Sequence, residues 1–201
     1  MMRRLVLSLL LLTASCATHV YPPLAPKNPT TIYLCDYGIH SSLLLPTGDG
    51  QFVEYVYGDW PYAALNKTDP FHTLGALTFS CQSALGRRFL KPPSGHQIPL
   101  PPNGPITIDP IVLDGDLVKR QVQHLDERYH KHIETAHLNE YPNYFFTFVY
   151  DDQHYSILHN CNSLTGENLA EMGCTVSGFP ILSNFIVMPL GPAAIPVRRF
   201  R

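Results

Sequence analysis

The sequence predicts an α+β domain in which an antiparallel sheet packs against helices, and three observations predict it. β-prone runs at Thr31 to Cys35, Ile39 to Leu45 and Gln51 to Tyr57 are separated by the turn-forming stretches Asp36-Tyr37-Gly38 and Pro46-Thr47-Gly48-Asp49-Gly50, so hairpins dominate the first third of the fold. Val118, Val122, Leu125, Tyr129 and Ile133 recur at helical spacing behind Asp114 or Asp116, either of which caps a helix running to about Glu134 with one buried stripe. A strand over Tyr155 to Leu158 leads straight into Asn160-Cys161-Asn162, where a second helix begins: Asn160 is its N-cap, Leu164, Leu169 and Met172 its apolar positions, and Gly173 its C′ residue.

In chain order, Arg3 and Arg4 precede the apolar run Leu5 to Leu12, which is too short to span a bilayer as a helix, and small residues then lead to Cys16. Residues 1–15 read as a signal peptide. Thr13-Ala14-Ser15-Cys16 resembles a bacterial lipobox, with Thr13 where Leu is usual; diacylated Cys16 would become the mature N-terminus and tie the chain to a bacterial membrane. Ala17 after the Cys points to the outer membrane, facing the periplasm. A plain secretory cleavage would instead leave a soluble periplasmic protein. Residues 16–29, with Pro22, Pro23, Pro26 and Pro29 and no apolar periodicity, are expected as an extended tether, and residues 30–201 as a single domain.

Tyr62 to Asn66 and roughly Thr73 to Phe89 are expected to be mostly helical, and Lys91 to Pro110, with seven prolines, extended or looped. Phe145 to Tyr150 is predicted as a strand, Asp151-Asp152-Gln153 as a turn, and Cys174 to Val176 and Asn184 to Met188 as late strands.

The chemistry centres on Cys161. Unpaired N–H groups and the positive dipole end of a helix N-terminus favour thiolate, the reactive form. Its base would be His40, on the second of the early strands. If the hairpin turn centres on Gly48, His40 lies opposite Val56 and Glu54 is its diagonal same-face neighbour, placed to orient the imidazole; a one-residue slip would hand that role to Asp59. Asn160, Asn162, His159 and Trp60 are the expected substrate contacts, with His159 shaping the entrance.

Gly38-Ile39-His40, Tyr55-Val56-Tyr57-Gly58-Asp59 and Cys161-Asn162 with Gly173 carry a resemblance. The chain resembles an uncharacterised bacterial family, a domain of unknown function sometimes labelled from urease-gene neighbourhoods, within the circularly permuted NlpC-type papain-like group that includes LRAT-like and YiiX-like proteins. The match covers about half of the domain, and Ile39 and Leu164 depart from the aromatic residues usual in the family. It implies a permuted papain-like (NlpC-type) architecture and a Cys-His hydrolase or acyl-transferase acting on amide bonds, first those of cell-wall (peptidoglycan) peptides, then lipid amides or esters. The alternative is a non-catalytic envelope lipoprotein that binds a wall fragment or partner protein through the same pocket.

Charge excludes another class. Removing residues 1–15 takes away two arginines, leaving 14 − 2 = 12 basic against 16 acidic residues, a formal charge of −4, which argues against nucleic acid. No Gly-x-Ser-x-Gly elbow, phosphate loop or dinucleotide fingerprint occurs, and neither cofactor nor metal is called for. A rival zinc reading would use His130, Glu134 and His137, spaced i, i+4, i+7 on an extended helix, though without the His-Glu-x-x-His pattern. In an oxidising compartment a helix of about twelve residues would hold Cys161 and Cys174 roughly 18 Å apart, too far to bridge; Cys81 is unconstrained, and a Cys35–Cys81 bridge is the pairing expected.

Overall fold

Alternating apolar residues and glycine turns build the sheet first. The computed structural model describes residues 17–69, 81–91, 104–139 and 145–189. The predicted signal peptide, Cys16, the proline-rich stretch at 92–103 and the first part of the expected helix at 73–89 lie outside the described residues. Within them, strands β1 (Thr18–Tyr21), β2 (Pro29–Asp36), β3 (Ser41–Pro46), β4 (Phe52–Asp59), β5 (Cys81–Leu90), β6 (Thr107–Asp114), β7 (His137–Asn139), β8 (Phe146–Tyr155), β9 (Thr175–Ser177) and β10 (Phe185–Val187) accompany two helices, α1 (Gly115–His130) and α2 (Cys161–Glu171). Seven strands form one antiparallel sheet in the order β6-β2-β3-β4-β5-β8-β7, and three form a small sheet in the order β10-β1-β9.

The large sheet is apolar on both faces. Leu34, Leu43, Leu45, Tyr55, Tyr57, Leu85 and Val149 pack on one face beneath Val118, Leu125 and Tyr129 of α1 and Leu164 and Leu169 of α2. Each fully buried leucine or valine of this layer contributes roughly 1.5–3 kcal/mol. The alternate residues Val56, Ala84, Phe146 and Phe148 form a second cluster on the reverse face, roofed by Trp60 and Ala63 of the π-helical turn Trp60–Ala64. Gly86 has no room for a side chain, since a Cβ there would lie 2.5 Å from Phe148 and 2.7 Å from Val56. Pro110 falls in β6, an edge strand, where its missing N–H costs no ladder bond on the open side.

Several expectations are corrected. Residues 17–29 are not a free tether: Val20 is fully buried, and β1 pairs with β9 and β10, so the fold begins at Thr18. Residues 81–90 are a strand rather than helix, pairing with β4 and β8 along their length; cross-strand burial overrides local helix propensity here. Asp151-Asp152-Gln153 is no turn. β8 runs through it unbroken and accommodates it by a bulge opposite Gln82 and Ser83, and the turn comes instead at Ser156 to His159. α1 is capped by Asp114, which accepts from the Asp116 N–H at 3.0 Å, but ends at His130. Ile133 and Glu134 fall in a 3₁₀ turn and His137 in β7, so the zinc reading loses its shared helix face; His137 packs on Trp60 and His130 bonds the Asp126 carbonyl.

The hairpin register pairs Leu44 with Glu54 rather than placing His40 opposite Val56, because the reversal centres nearer Asp49, with Thr47 bonded to Gln51. The offset is even, so faces are preserved. Cys35 is buried and free. Its strand lies three strands from β5, roughly 14 Å away, so a bridge to Cys81 has no geometric basis.

Candidate functional site

Asn160 starts α2 as the sequence predicts, through a capping box. Its Oδ1 accepts from the N–H groups of Asn162 (2.9 Å) and Ser163 (3.1 Å), while Ser163 Oγ accepts from the Asn160 N–H at 2.8 Å. Cys161 is thereby fixed at the first helical position. The first turn of α2 then docks on the start of β3: Ser41 Oγ donates to Asn162 Oδ1 at 2.8 Å, Asn162 Nδ2 to the Ile39 carbonyl at 3.3 Å, and Thr165 Oγ1 to the Ser41 carbonyl at 3.2 Å. Two stretches more than 120 residues apart in sequence are stitched together at the level of His40 and Cys161.

Opposing effects act on the sulfur. Burial dominates and pushes the Cys161 thiol up to about 11, against the lowering influence of the Ser41, Asn162 and Cys161 N–H groups and the Tyr155 hydroxyl. The helix N-terminus therefore does not by itself produce a resting thiolate. The Asn162 N–H is shared with the Asn160 cap, which leaves the Ser41 and Cys161 N–H groups as the donors least committed to the helix start.

His40 stands immediately before β3, not within a strand. Its carbonyl accepts from the Tyr37 N–H at 2.8 Å, and its ring lies against the Tyr37 ring, centroids 5.6 Å apart. Burial, then the Arg88 guanidinium, lowers its pKa to about 4. The imidazole is thus neutral at neutral pH and able to accept a proton. Among the described residues it makes no hydrogen bond to the Cys161 sulfur.

Glu54, fully buried, lies on the reverse face of the sheet beside this ring pair. Its Oε1 accepts from Tyr37 Oη (2.9 Å) and Ser42 Oγ, and its Oε2 from Arg88 Nε at 2.7 Å. It reaches His40 through Tyr37, whose hydroxyl it anchors, and not by a direct bond. Asp59 sits on the face that carries α2. One oxygen caps the π-helical turn by accepting from the Tyr62 N–H at 3.0 Å; the other is buried without a hydrogen-bond partner among the described residues, and burial first, then Cys161 and the Asp59 carboxylate, raise the Tyr155 hydroxyl pKa. Asp59 therefore belongs to the surroundings of Tyr155.

The expected substrate contacts divide. Asn160 and Asn162 are buried and spend their amides on structure, bonding the carbonyls of Ile157, Ile181 and Ile39. His159 packs against Tyr57, centroids 5.3 Å apart, with Nε2 on Gln153 Oε1 at 2.8 Å and Nδ1 3.5 Å from Glu167. Trp60 packs on Tyr150 on the opposite face of the sheet. Sequence reasoning missed Tyr155 and the Ser41 N–H. A strand read as running on to Leu158 hid Tyr155, the last residue of β8, and a backbone donor leaves no signature in residue type.

A cavity of about 440 Å³ lined by Arg87, Arg88, Phe89, Leu90, Tyr129, Phe145 and Thr147 includes none of these residues. Its two arginines are committed to Asp126 and Glu54. Among the described residues, no three His, Cys, Asp or Glu side chains converge as a metal site. No family model matches the chain, and neither a curated protein nor a solved structure is significantly similar to it.

Proposed function

We propose that this chain is an envelope lipoprotein of circularly permuted papain-like architecture, anchored through Cys16 and facing the periplasm, in the outer membrane before the inner. Its site would be a Cys-His hydrolase or acyl-transferase acting on amide bonds, as in cell-wall peptides. The supporting observation is the docking of Ile39 to Ser41 onto the first turn of α2, which sets a neutral imidazole's chain segment beside a helix-start thiol. Cys161 attacks the carbonyl carbon and its proton passes to His40. The developing oxyanion is met by the Cys161 and Ser41 N–H groups. His40 returns the proton to the departing amine as the C–N bond breaks. Water, deprotonated by His40, then cleaves the thioester to a carboxylic acid and the free thiol. Glu54, acting through Tyr37, orients the imidazole.

A thiol pushed up to about 11 and an imidazole lowered to about 4 together disfavour a resting ion pair. Proton transfer therefore accompanies C–S bond formation, when substrate is bound. The same resting state favours a second reading, a non-catalytic lipoprotein that binds a wall fragment or partner protein through this pocket. Acyl p-nitroanilides and p-nitrophenyl esters decide between them. The enzymatic reading expects a burst of one leaving group per chain and an acyl mass on the Cys161 peptide, abolished by Cys161→Ala and slowed roughly 10²- to 10⁴-fold by His40→Ala. Equal, burst-free hydrolysis by wild type and Cys161→Ala would leave the binding reading.

A further inference from the structure

Three loops surround the amino end of α2: residues 37–40, 156–159 and 178–184. Asn160 and Asn162 knit them together through the carbonyls of Ile157, Ile39 and Ile181, and Ser183 Oγ donates to the Gly38 carbonyl. Ile106 joins them, its N–H on the Asp36 carbonyl at 2.6 Å and its Cδ1 3.0 Å from where a Gly38 Cβ would stand. These loops carry large apolar side chains facing outward: Ile39 is 80 % exposed, Phe179 78 % and Leu158 73 %, with Ile106, Ile157 and Leu182 also exposed. Residues 38–42, 156–162 and 178–184 contain no Asp, Glu, Lys or Arg. Single exposed apolar residues are ordinary, but six on hydrogen-bonded neighbouring loops form a patch that needs a cover; Asp36, bonded to the Gly38 N–H, and Glu167, beside His159, are the carboxylates that border these loops.

The start of the described chain says what covers it. The Thr18 N–H donates to the Asn184 carbonyl at 3.2 Å, and a Cβ on Gly178 would come within 2.6 Å of the Ala17 carbonyl, so Ala17 and Thr18 are clamped between the two ends of the loop that carries Phe179 and Leu182. Cys16 is bonded to Ala17, and two extended residues span only about 7 Å. An acyl chain on Cys16 would enter the bilayer beside that loop.

The geometry points to a membrane-docking surface: the apolar collar of Ile39, Ile106, Ile157, Leu158, Phe179 and Leu182 seats on the bilayer that holds the Cys16 acyl chains, with the mouth of the Cys161 site at headgroup depth. Lipid anchors hold stably when a second signal accompanies them, and here the second signal is apolar insertion rather than a basic patch. Resting on the reading above, a substrate of this site is an acyl-bearing amide or ester delivered from the membrane.

The test uses the full acylated chain in vesicles of phosphatidylethanolamine and phosphatidylglycerol with brominated acyl chains. The parent has one tryptophan, Trp60, packed on the reverse face of the sheet, and supplies the background. Phe179→Trp is expected to be quenched about twofold more than the parent, without change in high salt, because insertion by apolar contact is not screened. Adding Leu158→Asp is expected to relieve that quenching while the protein still floats with the vesicles. Quenching no greater than the parent's in floating protein would overturn the proposal, as would a probe shielded from both bromolipid and aqueous iodide, which would mean a protein occupant. A chain that does not float removes the anchor and overturns it too. Cys161→Ala is carried in parallel and is expected to quench identically, so loss of the enzymatic reading and loss of the docking surface are separate results.

Discussion

Replacing His40 with Gln should make the protein less sensitive to acid. The His40 pKa falls from an ordinary 6.5 to about 4 in the fold, chiefly by burial and then by Arg88. Between those values the unfolded chain holds a proton that the folded protein refuses, so stability is intact above about pH 6.5 and is lost as pH falls toward 4. The full shift corresponds to about 3 kcal/mol, and at about pH 5 some 2 kcal/mol of it is already lost. His40 as a residue is half-buried, so these figures are upper bounds. Urea unfolding of wild type and His40→Gln at about pH 7.5 and about pH 5 isolates the effect, because carboxylates and the other histidines titrate in both proteins and cancel. Wild type should lose about 1–2 kcal/mol more than the variant over that interval. Parallel losses within about 0.5 kcal/mol would mean that His40 protonates freely in the fold, and the neutral base inferred for the site would go with it.

Arg88→Met leaves the fully buried Glu54 carboxylate without its cation and should cost about 3–5 kcal/mol, softened by the Tyr37 and Ser42 donors; adding Glu54→Gln should recover part of it, and a loss under about 1 kcal/mol in urea unfolding would contradict the burial of this pair. Asn160→Ala removes the α2 cap and two bonds between loops, so about 2 kcal/mol should be lost, with faster amide exchange at residues 157–163; unchanged exchange there would show that the cap does not set the helix start.

Which parts of this were legible in the sequence follows from where the determining forces act. The α2 start was readable because a cap is local: Asn160, Ser163 and Gly173 act within one helix. The stripe of α1 was readable for the same reason, and its end was missed because no glycine marks the stop after His130. β5 was misread because what makes it a strand lies elsewhere, in the rings of Phe148 and the ladder of β4, which leave Gly86 no space for a Cβ. β1 was taken for a tether because four residues carry almost no periodicity, and only their pairing with β9 and β10 from the far end of the sequence makes them a strand. At the site, residue types suggested a pairing of His40 with Cys161; the structure joins their chain segments through Ile39, Ser41, Asn162 and Thr165, with no hydrogen bond between the two side chains. The network that sets their protonation was not legible, because Arg88 and Tyr155 arrive from β5 and β8.

The two faces of the sheet thus divide the chemistry. Glu54, Arg88 and Tyr37 form a closed polar cluster on the reverse face, where charge is balanced and water excluded. Cys161, Tyr155, Tyr57 and Asp59 gather on the face that carries the helices. His40 stands just before β3: burial, then Arg88 from the reverse side, keeps it neutral, while Ser41, its neighbour, is bonded to α2. A base kept neutral by burial and by a fixed cation does not take up the thiol's proton at rest. In the enzymatic reading proposed above, it takes that proton only when a developing negative charge on the substrate lowers the cost of creating an imidazolium next to Arg88. On that reading, burial of both groups, with Arg88 beside the imidazole, keeps the resting site unreactive and makes reactivity depend on a bound carbonyl.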